Sequence, residues 1–313
     1  MRHPVLVFKM EEPGSKQKLA LAHGRLEGLC HDLVHHLIND VAVMGAQPLA
    51  MQDTIVCGHL DQEVVPTIVR SLAQACRQQG CHLVGGETSE QPGVLPAETL
   101  VLTASLIGVV DKDQVIDGGR IRPGDTLLAV AANGVHTNGF TLIRALLEAD
   151  PGLASQPLGN ASLLEALLVP HRCYLKAIDA LRTGPVHGLA HVTGGGMVDN
   201  LRRILPAGVS ATVDLSAVRI LPVFDAIRHA GEIADHEMLR VFNLGVGLLA
   251  AVPAQQAGRA CELLAAAGYV GYRLGMISGD RAPGAEPREG GPLGSGLDRG
   301  SVSLTGRLGW GSG

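Results

Sequence analysis

The feature that most constrains this chain is an alternation of short apolar runs with amphipathic helical stretches. It is played out twice and divided near IDGGRIRPGD, residues 116–125. Alternating strand and helix signals lead to sheets covered by helices, not to all-α or all-β cores. In the first half Val5–Phe8 reads as a strand. Leu26, Leu29, Leu33, Leu37 and Val41 then recur at helical spacing over about residues 26–43, with a stop near Gly45 and Pro48 beyond it. MQDTIVCG reads as a strand, Val64–Gln79 as a helix closed by Gly80, HLVGGE as a strand ending in a glycine pair, and TLVLTASLIGVV as a long buried strand. The second half restarts with the strand TLLAVAA, a polar loop over Asn133–Asn138 and a helix over Thr141–Glu148. HRCYLKAIDALR and VDNLRRIL read as helices, HGLAHV as a strand, and NLGVGLLAAV and YRLGMI as strands around a helix over Gln255–Ala267.

A chain of 313 residues exceeds one ordinary core, so two domains follow, 1–119 and 120–280. Residues 281–313 hold glycines without apolar periodicity and read as a disordered tail. An apolar fraction of 46% excludes a disordered chain as a whole. With 3% aromatic residues and a net charge of -5, neither a stacking platform nor a basic phosphate-binding face is available, which argues against nucleic acid as a partner. The N-terminus breaks its apolar run with charge at once, and Leu100–Val110 is too short to span a bilayer. Six scattered cysteines without a C-x-x-C pair read as reduced thiols, and the compartment expected is the cytoplasm.

Four segments carry candidate chemistry. Asp32, His36, Asn39 and Asp40 fall at i, i+4, i+7 and i+8, one face of the first long helix. Carboxylates with an amide suit a hard cation carrying phosphate oxygens, although a solvated polar stripe produces the same pattern. Gly85-Gly86-Glu87-Thr88-Ser89-Glu90 reads as a loop leaving a strand, where glycines admit a ligand and Glu87 or Glu90 binds a metal or moves a proton; an ordinary turn is the alternative. Thr193-Gly194-Gly195-Gly196, between a strand and a helix, offers backbone N–H groups to an anion. In His136-Thr137-Asn138-Gly139 a polar residue either contacts ligand or caps the following helix, and His191 is a catalytic candidate or a satisfied buried histidine.

The order of these segments adds a resemblance. NDVAVMGAQP fits the D-x4-G-A-x-P signature of the ATP-binding superfamily that includes aminoimidazole ribonucleotide synthetase, selenophosphate synthetase, thiamine-phosphate kinase and the hydrogenase maturation protein HypE. GCHLVGGETSEQPG, DKDQVIDGGRIRPGD, ANGVHTNGFTLIR, VPHRCYLKAI, AHVTGGGMVDNLRRILP and HEMLRVFNLGVG follow in family order, and within the superfamily the chain most resembles aminoimidazole ribonucleotide synthetase, also called phosphoribosylformylglycinamidine cyclo-ligase. The resemblance implies a PurM-like two-domain α/β fold. Its N-terminal mixed sheet closes into a barrel between the subunits of a homodimer, and its C-terminal domain is a mixed α/β sheet. It implies a ligase of purine biosynthesis that uses ATP and Mg²⁺ on a small ribotide. Asp40, Glu87 and Glu11 take the metal. Gly14, Ser15, Lys16, Asn39, Gly85, Gly86, Thr88, His136, Thr137, Asn138 and Thr193–Gly196 contact nucleotide or phosphate, and Asp40 and His191 act in catalysis.

Two departures accompany it. The family begins a few dozen residues earlier, with a glycine-rich loop and a lysine, whereas this sequence starts at the following strand. Where the family reads D-G-V-G-T-K, this chain has Glu11-Glu12-Pro13-Gly14-Ser15-Lys16. Glu12 brings negative charge toward phosphate and Pro13 removes a backbone donor, both weakening nucleotide binding. A paralogue acting on a different amide or amidine, and a non-catalytic dimeric relative, are the alternatives these departures leave.

Overall fold

The computed structural model describes residues 1–279 and 300–311. In chain order the elements are β1 (Pro4–Glu11), α1 (Lys16–Ala22), α2 (Leu26–Ala42), β2 (Gln47–Cys57), α3 (Val64–Gln78), β3 (His82–Glu90), β4 (Leu100–Asp111), β5 (Asp125–Ala131) and α4 (Phe140–Ala149). A small hairpin, β6 (Pro157–Leu158) and β7 (Ala161–Ser162), leads to α5 (Leu163–Leu167), α6 (Leu175–Arg182), β8 (Gly188–His191), α7 (Gly196–Arg202) and β9 (Val209–Asp214). The chain continues through α8 (Pro222–Ala230), α9 (Asp235–Val241), β10 (Val246–Pro253), α10 (Ala257–Ala266), β11 (Gly271–Gly279) and β12 (Ser301–Thr305). Two compact units result, Met1–Val115 with Gly134–Leu175, and Ile116–Asn133 with Lys176–Gly313. In packing, residues 134–175 go with the first unit, because their polar backbone is bonded to α2.

In the first unit the strand order is β1-β4-β2-β3, antiparallel except for the parallel pair β2/β3. One face of the sheet is buried under helices. Leu33, Leu37 and Val41 of α2 and Ile68 and Leu72 of α3 meet Met51, Ile55, Leu102 and Leu106, all fully buried. Helical period 3.6 and strand period 2 thus agree on one core. Gly108 lets α2 approach β4: a Cβ there would lie 2.3 Å from Val41 Cγ1 and 2.9 Å from the Gln47 carbonyl oxygen. The opposite face of the sheet is open and largely apolar. Leu6, Phe8 and Met10 of β1 are 55%, 67% and 70% exposed, a run of exposure that a solvated strand would fill with polar residues.

The second unit holds a six-stranded sheet, β12-β9-β11-β5-β10-β8, antiparallel but for β12 against β9. Two interior strands, β5 and β10, are buried almost throughout, as their continuous apolar runs require.

Three expectations need correction. Gly85–Glu90 is not a loop but the second half of β3, paired in parallel with Gln52–Cys57 of β2, because the ladder continues through the glycines. Residues 171–174 are not helical, and α6 begins only at Leu175, since the preceding backbone turns to bond α2. The tail is not uniformly disordered: Ser301–Thr305 adds a strand to the edge at β9, where Ser210/Ser301 and Thr212/Ser303 also exchange hydroxyl hydrogen bonds. Residues 280–299 and 312–313, the rest of that expectation, lie outside the described residues. Among the described residues the six cysteines are free and no helix is long and apolar enough to cross a membrane.

Candidate active site

In the first unit the polar face of α2 is not a solvated stripe. Asp32 and Asn39 are fully buried and His36 nearly so. Each is spent on a chain segment far away in sequence. Asp32 receives the Lys16 ammonium at 2.9 and 2.8 Å and the His171 backbone N–H at 2.6 Å. Asn39 donates to the Arg172 carbonyl at 2.9 Å and accepts from the Tyr174 N–H at 2.6 Å, so its amide is committed at both ends. His36 Nδ1 lies 3.3 Å from the Thr137 hydroxyl. Burying charged and amide groups is tolerable only when their hydrogen bonds are made, and here residues 136–137 and 169–174 make them.

Lys16 opens α1 and is itself buried. Beyond Asp32 its ammonium donates to the carbonyls of His136 at 3.1 Å and Val169 at 3.0 Å. All three N–H groups thus have acceptors inside the unit, and none is directed to a ligand as the phosphate assignment requires. Burial pushes the Asp32 carboxyl up, to about 6, against the pull of Lys16 and the His171 N–H. Around this pair lie some of the residues expected at phosphate: Gly14, Ser15 and those of the 136–138 loop. A Cβ on Gly14 would stand 3.5 Å from the Thr137 carbonyl oxygen, and the Ser15 hydroxyl is 3.2 Å from that of Thr141. His136 holds a left-handed backbone at φ 66 and stacks on His171 with 3.9 Å between centroids. Asn138 follows at the turn into α4, which starts after the left-handed Gly139.

The acidic residues divide between the two faces of the sheet. Glu11 and Asp40 come together on the helix-covered side, joined by Lys9, whose ammonium is 2.7 Å from Glu11 Oε1 and 3.0 Å from Asp40 Oδ2. His36 Nε2 stands 3.6 Å from the same Asp40 oxygen. Glu87 does not join them. Its partner across the ladder is Thr54, opposite Thr103, which puts it on the open face. There it lines a 330 Å³ cavity with Met10, Gln52 and Ser105. Gly85 and Thr88 lie on β3 to either side of Glu87.

Sequence reasoning missed Asp53. It follows Met51 and precedes Ile55 at the buried parity of β2, the residue is 6% exposed, and it lies beside Gly86, where a Cβ would come within 2.4 Å of its Oδ1. Burial raises its pKa. A lone acid at a core position of an apolar strand was the signal available.

In the second unit the glycine segment leads from β8 into α7. Gly195 and Gly196 have φ of 92 and 65, and a Cβ on Gly196 would fall 2.0 Å from the Leu239 carbonyl oxygen, so only glycine fits. Asn200, also missed, ties the loop by donating to the carbonyls of Thr193, Gly194 and Gly196. His191 ends β8, buried and opposite Leu248.

Two mixed sheets backed by helices, the first gathering a Gly-Ser-Lys turn, a His-Thr-Asn loop and paired acids, define a two-unit α/β protein. Residues 4–110 match the N-terminal domain of AIR synthase related proteins and residues 122–286 the C-terminal domain, so the chain belongs to the AIR synthase related family. It is 39% identical over 287 residues to the phosphoribosylformylglycinamidine cyclo-ligase of Nitrosospira multiformis, covering 91% of this chain and 81% of that protein. With the enzyme of the same name from Aromatoleum aromaticum it shares 42% over 288 residues, 91% and 82% of the two chains. Solved structures of the same fold include thiamine-monophosphate kinase from Stenotrophomonas maltophilia, with a TM-score of 0.66, 20% identity, and 98% and 87% of the chains covered. Another is E. coli HypE, with a TM-score of 0.64, 21% identity, and 88% and 80% covered.

Two outcomes are expected. Lys16→Met leaves the Asp32 carboxylate buried without its counter-charge and costs about 3–5 kcal/mol in chemical denaturation, and adding Asp32→Leu recovers most of it. His35 donates through Nδ1 to the His171 carbonyl, and burial, with His31 adding to it against that carbonyl, lowers its pKa to about 4. Between pH 6.5 and 4 the unfolded chain therefore binds a proton that the native one does not, so stability falls on acidification, by up to about 3 kcal/mol. The slope of unfolding free energy against pH in that window is shallower in His35→Gln.

Proposed function

We propose that this protein closes the imidazole ring of aminoimidazole ribonucleotide from formylglycinamidine ribonucleotide with ATP, as a cytoplasmic homodimeric ligase. The observation that carries the reading is chain-long identity of 39–42% to proteins named phosphoribosylformylglycinamidine cyclo-ligase. In this reaction the γ-phosphoryl group of ATP passes to the formyl oxygen and ADP departs. The amidine nitrogen attacks the activated carbon, the C–O bond breaks with loss of phosphate, and the nitrogen gives up its proton. Phosphorylation turns a poor leaving oxygen into a good one, so the protein's share is positioning and charge neutralisation.

Glu11 and Asp40 are the oxygen donors suited to Mg²⁺, which would neutralise phosphate charge. Gly14, Ser15, Thr137 and Asn138 remain the phosphate-contact candidates on the first unit, and the Thr193–Gly196 backbone those on the second. His191 is the candidate for the released proton. Lys16 and Asn39 serve instead to hold the loops that carry these groups, since their polar atoms are satisfied within the protein. A paralogue acting on a different amide is the second reading, favoured by Glu12 and Pro13 in the turn beside Gly14.

Purified protein with Mg²⁺ is expected to release ADP only when formylglycinamidine ribonucleotide is present, and Asp40→Asn to lose activity on the order of 10²-fold while folding normally. ATP binding without turnover of this ribotide would favour the paralogue; an unimpaired Asp40→Asn would remove Asp40 from the metal site. The open apolar face of the first sheet supports the homodimer, as sheet against sheet across a two-fold axis. Phe8→Glu is expected to shift sedimentation from dimer to monomer.

A further inference from the structure

The two carboxylates assigned to Mg²⁺ already share a cation. Lys9 and Glu11 stand two residues apart on β1, hence on one face of the strand, and Asp40 approaches from the last turn of α2. The ammonium of Lys9 lies between Glu11 Oε1 and Asp40 Oδ2, at 2.7 and 3.0 Å. Its side chain is 33% exposed and those of Glu11 and Asp40 27% and 17%, so the group is open enough for a hydrated ion to enter and closed enough for the charges to feel one another. With Lys9 in place the trio carries a net charge of about −1 instead of −2, and the position between the carboxylates is taken.

We propose that Lys9 is the resident cation of the Glu11–Asp40 pair and competes with the divalent ion for it, so that metal enters only as the Lys9 side chain leaves. This rests on the assignment of the metal to those two acids. It makes loading of the nucleotide-free protein weak and gives Lys9 a role that no motif of the sequence signals. The displaced ammonium carries its charge out on a flexible four-carbon stem, which spares the site a fixed repulsion once an ion has bound.

The test is Mn²⁺ binding to the nucleotide-free protein, read by the signal of free Mn²⁺ in electron paramagnetic resonance, with Mg²⁺ competition as a check. Lys9→Met is expected to bind Mn²⁺ at least tenfold more tightly than wild type, and the gain to vanish in Lys9→Met/Asp40→Asn. Lys9→Gln, uncharged but polar, is expected to follow Lys9→Met and guards against a packing effect of the methionine. As a second readout, both single variants should melt below wild type in EDTA and gain more from added Mg²⁺, because the two carboxylates then keep only the His36 imidazole beside them and lose the ammonium between them. If Asp40→Asn weakens Mn²⁺ binding while Lys9→Met and Lys9→Gln leave it unchanged, the metal assignment stands and the competition by Lys9 is overturned. If Asp40→Asn and Glu11→Gln both bind Mn²⁺ as wild type does, the metal assignment fails and the proposal with it.

Discussion

The first unit depends on one buried ion pair. Lys16 and Asp32 are both removed from water, a costly arrangement unless every donor and lone pair finds a partner. Their partners are the carbonyls of His136 and Val169 and the N–H of His171, so the pair joins α1, α2 and two segments more than a hundred residues downstream at a single point. Removing either charge would orphan the other and release loops together. Asn39 repeats the device one face-turn later with neutral groups, fastening Arg172 and Tyr174. The site residues of residues 136–138 are thus positioned by buried polar bonds and not by apolar packing alone.

Much of the fold was legible because its signals are local. The period of Leu29, Leu33, Leu37 and Val41 found α2, and the apolar runs of β5 and β10 announced strands. What failed was what depends on distant partners. Asp32, His36 and Asn39 look like a surface stripe until residues 134–175 close over them. Gly85 and Gly86 look like a turn, yet the parallel ladder with β2 runs through them, and Gly86 is small because Asp53 lies against it. The strand Ser301–Thr305 follows a glycine-rich stretch that no local rule would read as part of a sheet.

The candidate site was legible by family resemblance more than by chemistry. Glu11 and Asp40 meet, and the Gly14–Lys16 turn lies by His136 and Thr137. Resemblance supplied the residues but not their surroundings: the polar groups of Lys16 and Asn39 are engaged within the protein, and Glu87 sits across the sheet from the other acids. Lys9 carries no motif at all, and only the geometry reveals that it lies between Glu11 and Asp40.

The path of the chain has a consequence for how the protein is made. The backbone leaves the first unit after Val115, returns at Gly134 and leaves again after Leu175. During synthesis from the N-terminus, β1 through β4 emerge long before the carbonyl of Val169 that completes the shell around Lys16. The nascent first unit must therefore wait, with a charged pair only partly sheltered, until Val169 has left the ribosome. Long-range closures of this kind slow folding, and neither unit can be cut out as one uninterrupted gene fragment.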